Sequence, residues 1–396
     1  MPTGGPRLGF VVPRFGAGIV GGAEIHCQVL VENLVANGVD AEVLTTCAVD
    51  HLTWEDHLPA GTTVENGVTV HREPVDPRRD NGRFFELHDR LARGLPSGRA
   101  DEIEWMAQSV WSPELQDALE DEDRYDWIIP MPYLFGTTFW AVAGRPERTA
   151  LIPCLHDEAH AWLPSVRAMI TAARGCMYNS QGEGVLLARL APDANVRLVS
   201  IGYDEGPPPT HDAVAAFCAA RGIAPGYLLY AGRRETGKGL PDLFAAYARL
   251  VARRPDAPPL ALMGRGELVP PPGIADRVVD LGFVPDEDRD TAFAAAGLLV
   301  NPSRLESLGM VVLEAWLAGT ACVVSGGSPV LREHCRASGG GLPYGTPDEF
   351  VEALEMLMDD PDMCRRMARD GARYVRETYN WDRVRERLFA ALEEWS

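Results

Sequence analysis

An apolar run that ends abruptly in a polar turn constrains this chain more than any other stretch. Gly297-Leu298-Leu299-Val300 has the character of a buried strand, Asn301-Pro302-Ser303 stops it, and a helical pattern opens near Gly309. Two glutamates, Glu306 and Glu314, stand eight positions apart across that change. On one continuous helix they would be ~12 Å apart along the axis, at ~1.5 Å per residue. With Glu306 in the loop instead, the chain folds back and both carboxylates face one small ligand. The N–H groups of Leu308, Gly309 and Met310 are then orphan donors of a helix N-terminus, which suits a phosphate. Gly309 leaves room for close backbone approach. The first acid also falls at the carboxyl end of a strand, where open α/β sheets bind ligands. A nucleotide-sugar fits all of these groups. The plain alternative is that Glu314 is a solvated position on an amphipathic helix.

The same residues carry a resemblance. Pro302-Ser303-x-x-Glu306-Ser307-x-Gly309-x-x-x-x-Glu314-Ala315-x-x-Ala318-Gly319-Thr320-x-x-Val323-Val324 resembles the donor-binding segment, with its Glu-x7-Glu motif, of the retaining glycosyltransferases of family four. That family has the α/β GT-B fold, two Rossmann-like doubly wound domains facing a central cleft. The resemblance implies that Glu306 contacts the hydroxyls of the donor sugar and Glu314 those of the ribose. Ser307, Leu308, Gly309 and Met310 line the donor site in the same reading.

Length and charge bound the rest. A chain of 396 residues with 46% apolar content suggests two domains, each with its own core. The formal net charge of −20 argues against a nucleic-acid partner and against general attraction to anionic lipid. Residues 71–99 depart from this, with seven arginines among five acids; a solvated helical face with loops is expected, and at most a peripheral membrane contact. The eight cysteines form no Cys-x-x-Cys pair and read as reduced, mostly buried thiols. No apolar run approaches ~20 residues, and the N-terminus lacks a charged-then-apolar leader pattern. A cytoplasmic protein is expected.

In the first half, Leu8 to Pro13 fits a buried strand. Gly16-x-Gly18-x-x-Gly21 follows and formally matches the dinucleotide fingerprint. Pro13-Arg14-Phe15 lengthens the turn, however, and Glu42 begins the second strand where an acid should end it, so a nicotinamide enzyme is not favoured. The resemblance places a Gly-Gly-Ala-Glu loop against the donor phosphate or the acceptor, here Gly21 and Gly22. Asn66-Gly67 is a hairpin signal, and residues 46–75 are similar to bacterial members acting on surface polysaccharides. His156 and His160 are spaced to share a metal on a helix, but Glu158 is one position late for the zinc-protease pattern and no third ligand is evident. No metal is expected. By resemblance His156 meets the donor sugar; alternatively it is a histidine bonded to a nearby carboxylate. Ser180-x-x-Glu183 reads as a capping box. Gly202 to Pro209 reads as the interdomain linker.

The second half opens with the strand Tyr227 to Ala231 and then Gly232-Arg233-Arg234-Glu235-Thr236-Gly237-Lys238-Gly239. This is nearly a Walker A loop, with Gly239 where a magnesium-binding Ser or Thr belongs. It equally matches the family's Gly-Arg-x-x-x-x-Lys-Gly, in which Arg233 and Lys238 clasp a diphosphate. Gly264 ends the next strand, and Val278 to Val284, with Phe283, lines the nucleobase by resemblance. None of the Asp-x-Asp pairs follows an apolar strand, as a manganese-dependent transferase of the other fold requires.

The expected domains are 1–203, 204–380 and a helix 381–396 crossing back to the first. The expected activity is a retaining, metal-independent, cofactor-free transfer of a hexosyl unit from a UDP- or GDP-sugar to a hydroxyl acceptor (glycan, lipid-linked or small molecule). A P-loop phosphotransferase and a non-catalytic nucleotide-sugar-binding protein are the competing readings.

Overall fold

The structure is a computed structural model; it describes residues 5–19, 21–204, 206–267 and 269–396. Val20 of the glycine loop and Glu205 of the expected linker therefore lie outside the described residues. The chain divides into two compact units. One runs up to Gly202 and takes in Trp381–Ser396; the other is Tyr203–Asn380, so the division falls one residue before the expected 203/204 boundary.

Among its described residues the first unit holds eight strands: β1 (Leu8–Val11), β2 (Ala41–Thr46), β3 (Gly61–Glu65), β4 (Val68–Glu73), β5 (Trp127–Pro130), β6 (Ala150–Leu151), β7 (Gly175–Tyr178) and β8 (Val196–Leu198). They run in the order β3-β4-β2-β1-β5, then β6-β7-β8, with a parallel bridge from Ile128 to Thr149 joining the two sets. Among the described strands of this unit, β3 and β4 form the antiparallel pair and the others are parallel. Asn66 and Gly67 turn that hairpin with φ of 48° and 84°, as a tight primed turn requires. β6 is only two residues long. Ile152 still donates its N–H to the Pro130 carbonyl at the end of β5 at 3.0 Å, and the N–H of Leu155 is taken by the Glu183 carboxylate.

The arginines of residues 71–99 are not all solvated. Arg72 is buried on β4, paired with Glu65 at 2.6 Å and bonded to the Phe15 carbonyl at 2.8 Å. A strand-borne arginine points inward when its register demands it, which composition does not reveal.

The helix Trp381–Trp395 belongs to the first unit through two glycines. A Cβ on Gly202 would stand 2.4 Å from the Trp381 ring, and one on Gly175 would stand 2.3 Å from the Trp395 ring.

The second unit is one parallel sheet of six strands: β9 (Tyr227–Ala231), β10 (Leu260–Met263), β11 (Val278–Gly282), β12 (Ala296–Asn301), β13 (Cys322–Ser325) and β14 (Gly341–Tyr344). The order is β11-β10-β9-β12-β13-β14, a doubly wound arrangement that reverses between β9 and β12. Tyr227 to Ala231 are all buried, the signature of a central parallel strand. Leu243, Tyr247 and Leu250 of the helix Leu240–Arg253 pack on that sheet with Phe350 and Leu354 of the helix Pro347–Asp359. All eight cysteines are free thiols, and all but Cys364 are buried. Among the described residues, no helix is long and apolar enough to cross a membrane.

Candidate active site

The reversal of strand order fixes what meets in the second unit. β9 and β12 are neighbours whose chains leave in opposite directions, so the loops after them flank one crevice. The loop after β9 carries Gly232, Arg233 and Lys238. The loop after β12 carries Ser303 to Gly309. Gly239, at φ 78°, lets the first loop turn into its helix against the second: a Cβ there would stand 2.6 Å from the Pro302 carbonyl oxygen. Lys238 Nζ consequently reaches Glu306 Oε1 at 2.9 Å and the Leu305 carbonyl at 3.3 Å. Both side chains are largely buried, 24% and 16% exposed, so this contact is better shielded from solvent than the surface pairs around it.

Gly309 caps the helix Met310–Leu317 at φ 71°. A Cβ there would also stand 2.5 Å from Leu331 Cδ2. Its glycine is required by that packing and by its left-handed backbone. The N–H groups of Leu308, Gly309 and Met310 have no acceptor among the described residues. The loop is held from behind by His334, whose Nε2–H donates to the Leu308 carbonyl at 2.8 Å while Nδ1 accepts from Tyr374 Oη at 3.1 Å. Burial pushes this histidine down to about 4, so it stays neutral.

Gly232 and Gly264 end β9 and β10. The Gly232 N–H donates to the Met263 carbonyl at 3.0 Å, and the Gly264 N–H to Gly282 at 2.8 Å. Arg233 pairs with Glu235 at 3.1 Å, both about half exposed. Its neighbour Arg234, which the motif leaves unassigned, is pinned to Asp280 and to the Leu262 carbonyl. Phe283 is 53% exposed beyond β11, with the Arg265 guanidinium 4.8 Å from its ring centre. Glu314 is held by Arg289, a residue no motif singled out.

In the first unit, Gly21 caps the helix Gly22–Ala36 in extended backbone, and a Cβ on Gly22 would meet nothing within 4 Å. Glu24 of the same motif is buried and bonded to Arg14, whose Nη1 donates to the Val49 carbonyl at 2.8 Å. His156 Nδ1 lies 3.5 Å from Glu158 Oε1, and Glu158 also accepts the Tyr133 hydroxyl at 2.7 Å. Burial alone would raise the Glu158 pKa, but His156 and the Tyr133 hydroxyl outweigh it and the group is held below its usual range. His160 turns away into a stack with His88 (4.2 Å) and Trp105 (5.0 Å), its Nε2–H donating to the His88 carbonyl. Among the described residues no three His, Cys, Asp or Glu side chains are grouped to hold a metal ion.

Ser180 caps its helix by accepting the Glu183 N–H, but the Glu183 carboxylate reaches further than a capping box requires. It accepts the N–H of Asn179 and that of Leu155, the residue before His156, both at 2.5 Å. Full burial raises its pKa from 4.5 to about 8, partly opposed by those two bonds. Between these values the unfolded chain ionises while the folded one keeps the proton. The stability this group contributes is therefore full below about 4.5 and lost as the pH rises to about 8. Urea midpoints measured from pH 5 to 8 are expected to fall with pH, corresponding to a loss of at most about 4 kcal/mol of stability, and Glu183→Gln is expected to flatten that slope. An equal slope in both proteins would refute it.

Comparison with known proteins places this geometry. Residues 223–374 match the family model described as "Glycosyl transferases group 1". The match covers the second unit's sheet and its flanking helices, so this part of the chain is similar to that family. It is 25% identical to the D-inositol 3-phosphate glycosyltransferase of Jonesia denitrificans, over 96% of this chain and 92% of that one. It is 28% identical to the mannosylfructose-phosphate synthase of Agrobacterium fabrum, over 50% of this chain and 48% of that one. Among solved structures, the sucrose-phosphate synthase of Thermosynechococcus elongatus superimposes with a TM-score of 0.74 at 18% identity, covering 99% of this chain and all of that one. HepE of Anabaena, solved in complex with UDP and glucose, gives 0.71 at 16% identity over 98% and 100%. The chain has the GT-B fold.

Proposed function

We propose that this protein is a glycosyltransferase that moves a hexosyl unit from a UDP- or GDP-sugar to a hydroxyl acceptor, with retention at the anomeric carbon and without a metal ion. The observation that carries the reading is the Lys238–Glu306 pair at the point of strand reversal, beside the N–H groups of Leu308, Gly309 and Met310, which find no acceptor among the described residues. A cation, a carboxylate and a set of amide donors together match a diphosphate joined to a sugar.

In this reading Glu306 orients the sugar hydroxyls, and Lys238, Arg233 and the amides hold the diphosphate. As the bond from the anomeric carbon to the phosphate oxygen breaks, negative charge grows on that oxygen, where preorganised donors act most strongly. The acceptor oxygen bonds to the anomeric carbon from the same face, and its proton passes to the leaving phosphate. The nucleoside diphosphate and the new glycoside are the products. His156 and the Gly21-Gly22 loop are the groups assigned to the sugar and to the phosphate or acceptor, the latter being a glycan, a lipid-linked sugar or a small molecule.

The test is transfer in excess EDTA, with the anomeric configuration of the product read by NMR. Activity that survives the chelator and a retained configuration are expected. Inversion would overturn the mechanism; loss of activity with rescue by magnesium would overturn metal independence.

A further inference from the structure

The surroundings of Glu314 hold more than a single carboxylate. Glu314 lies on the helix Met310–Leu317, and Arg289 on the helix Asp286–Ala295 packed beside it. The guanidinium gives both its bonds to one oxygen: Nε at 3.1 Å and Nη2 at 2.5 Å, each to Oε2. Among the described residues nothing donates to Oε1. The Glu314 side chain is only 16% exposed, and that of Arg289 30%. Burial alone would lower the Arg289 pKa, yet the Glu314 charge raises it above the ordinary value. The Tyr203 hydroxyl is enclosed without a hydrogen-bond partner among the described residues, and it feels the charges of both Glu314 and Arg289.

A carboxylate with one oxygen committed and the other open is a directed acceptor. Its two oxygens offer about four lone-pair positions, two of which Arg289 fills. The guanidinium neutralises the pair, so a neutral hydroxyl-bearing ligand covers no uncompensated charge. It also fixes the side-chain rotamer, so that Oε1 meets a ligand without a search.

We infer that Arg289 is a positioning residue that sets the specificity of this site for a ribose diol, by holding Glu314 with Oε1 free to accept the ribose hydroxyls of the donor. The inference rests on the nucleotide-sugar reading above and deepens it. The competing account is a structural staple between two helices, which would stabilise the unit without influencing which sugar it reads.

Affinity for a nucleoside diphosphate and for its 2′,3′-dideoxy analogue separates the two. The probe is whichever of UDP, GDP and ADP binds wild type best in calorimetric titration. Wild type is expected to favour the ribose form by roughly tenfold or more, because a site built to bond a hydroxyl rejects a ligand without it. Arg289→Met is expected to bring that ratio near one, as Glu314→Gln does, and the double variant to go no further. Arg289→Lys, which keeps the charge but not the paired donors, is expected to give an intermediate ratio. A wild-type ratio in Arg289→Met overturns the inference, and where that variant does not fold, a wild-type ratio in Arg289→Lys does so. Equal wild-type affinity for the two ligands overturns it while leaving the functional reading intact. A wild type that binds none of the three diphosphates overturns both.

Discussion

Replacing Lys238 by alanine is expected to lower turnover by about two to three orders of magnitude, the usual cost of removing one preorganised charge from a developing anion. Two losses combine. Glu306 keeps its carboxylate at 16% exposure without the ammonium that stands 2.9 Å away. The leaving diphosphate loses a cation whose attraction grows as the bond breaks, so kcat falls more than KM rises. Steady-state kinetics with the true donor and acceptor check this. Unchanged kcat in a folded Lys238→Ala protein would remove Lys238 from the mechanism.

Gly264→Ala is expected to be the most destabilising single change near the site. Its φ of 134° is a region that side chains rarely enter, and a Cβ would stand 2.0 Å from the Gly232 carbonyl oxygen. Both obstacles are backbone. Relief requires the ends of β9 and β10 to part, at the expense of the bonds from Gly232 to Met263 and from Gly264 to Gly282. Strain of this kind, added to a lost strand-end bond, costs about 3 kcal/mol or more. For a unit of this size that lowers the melting temperature by roughly 6–12 °C. Gly273→Ala is the control, since a Cβ there meets nothing within 4 Å. Equal melting temperatures for the two variants would contradict the strand-end geometry.

The parts of the site legible in the sequence were those carried by local pattern. A buried strand, a polar turn and a helix start follow from residues adjacent in the chain, and so do the loops after β9 and β12. That Lys238 and Glu306 touch required the strand order, which no local pattern states. The partners of the assigned residues were less visible still. Arg289 meets Glu314 across 25 positions, His334 meets Leu308 across 26, and Glu183 reaches Leu155 across 28. Each is an ordinary residue type on a helix, chosen by packing rather than by spacing. Gly309 teaches the converse. Its glycine serves a left-handed turn and the approach of Leu331, a neighbour 22 residues on that only the fold supplies.

Glu158 shows how a local motif acquires a different sense. Its place, one position late after His156, argues against the zinc-protease pattern and leaves it as a nearby carboxylate for the histidine. In the fold it joins His156 to the Tyr133 hydroxyl, while His160 is spent on an aromatic stack.

The central claim is that a nucleoside diphosphate-sugar binds at the strand reversal of the second unit. A crystal of the wild-type protein soaked with its donor tests it most directly. The account predicts density for the diphosphate at Lys238 and the amides of Leu308 to Met310, with the sugar against Glu306 and the ribose against Glu314. Donor density remote from Lys238, Glu306 and Glu314 would contradict it.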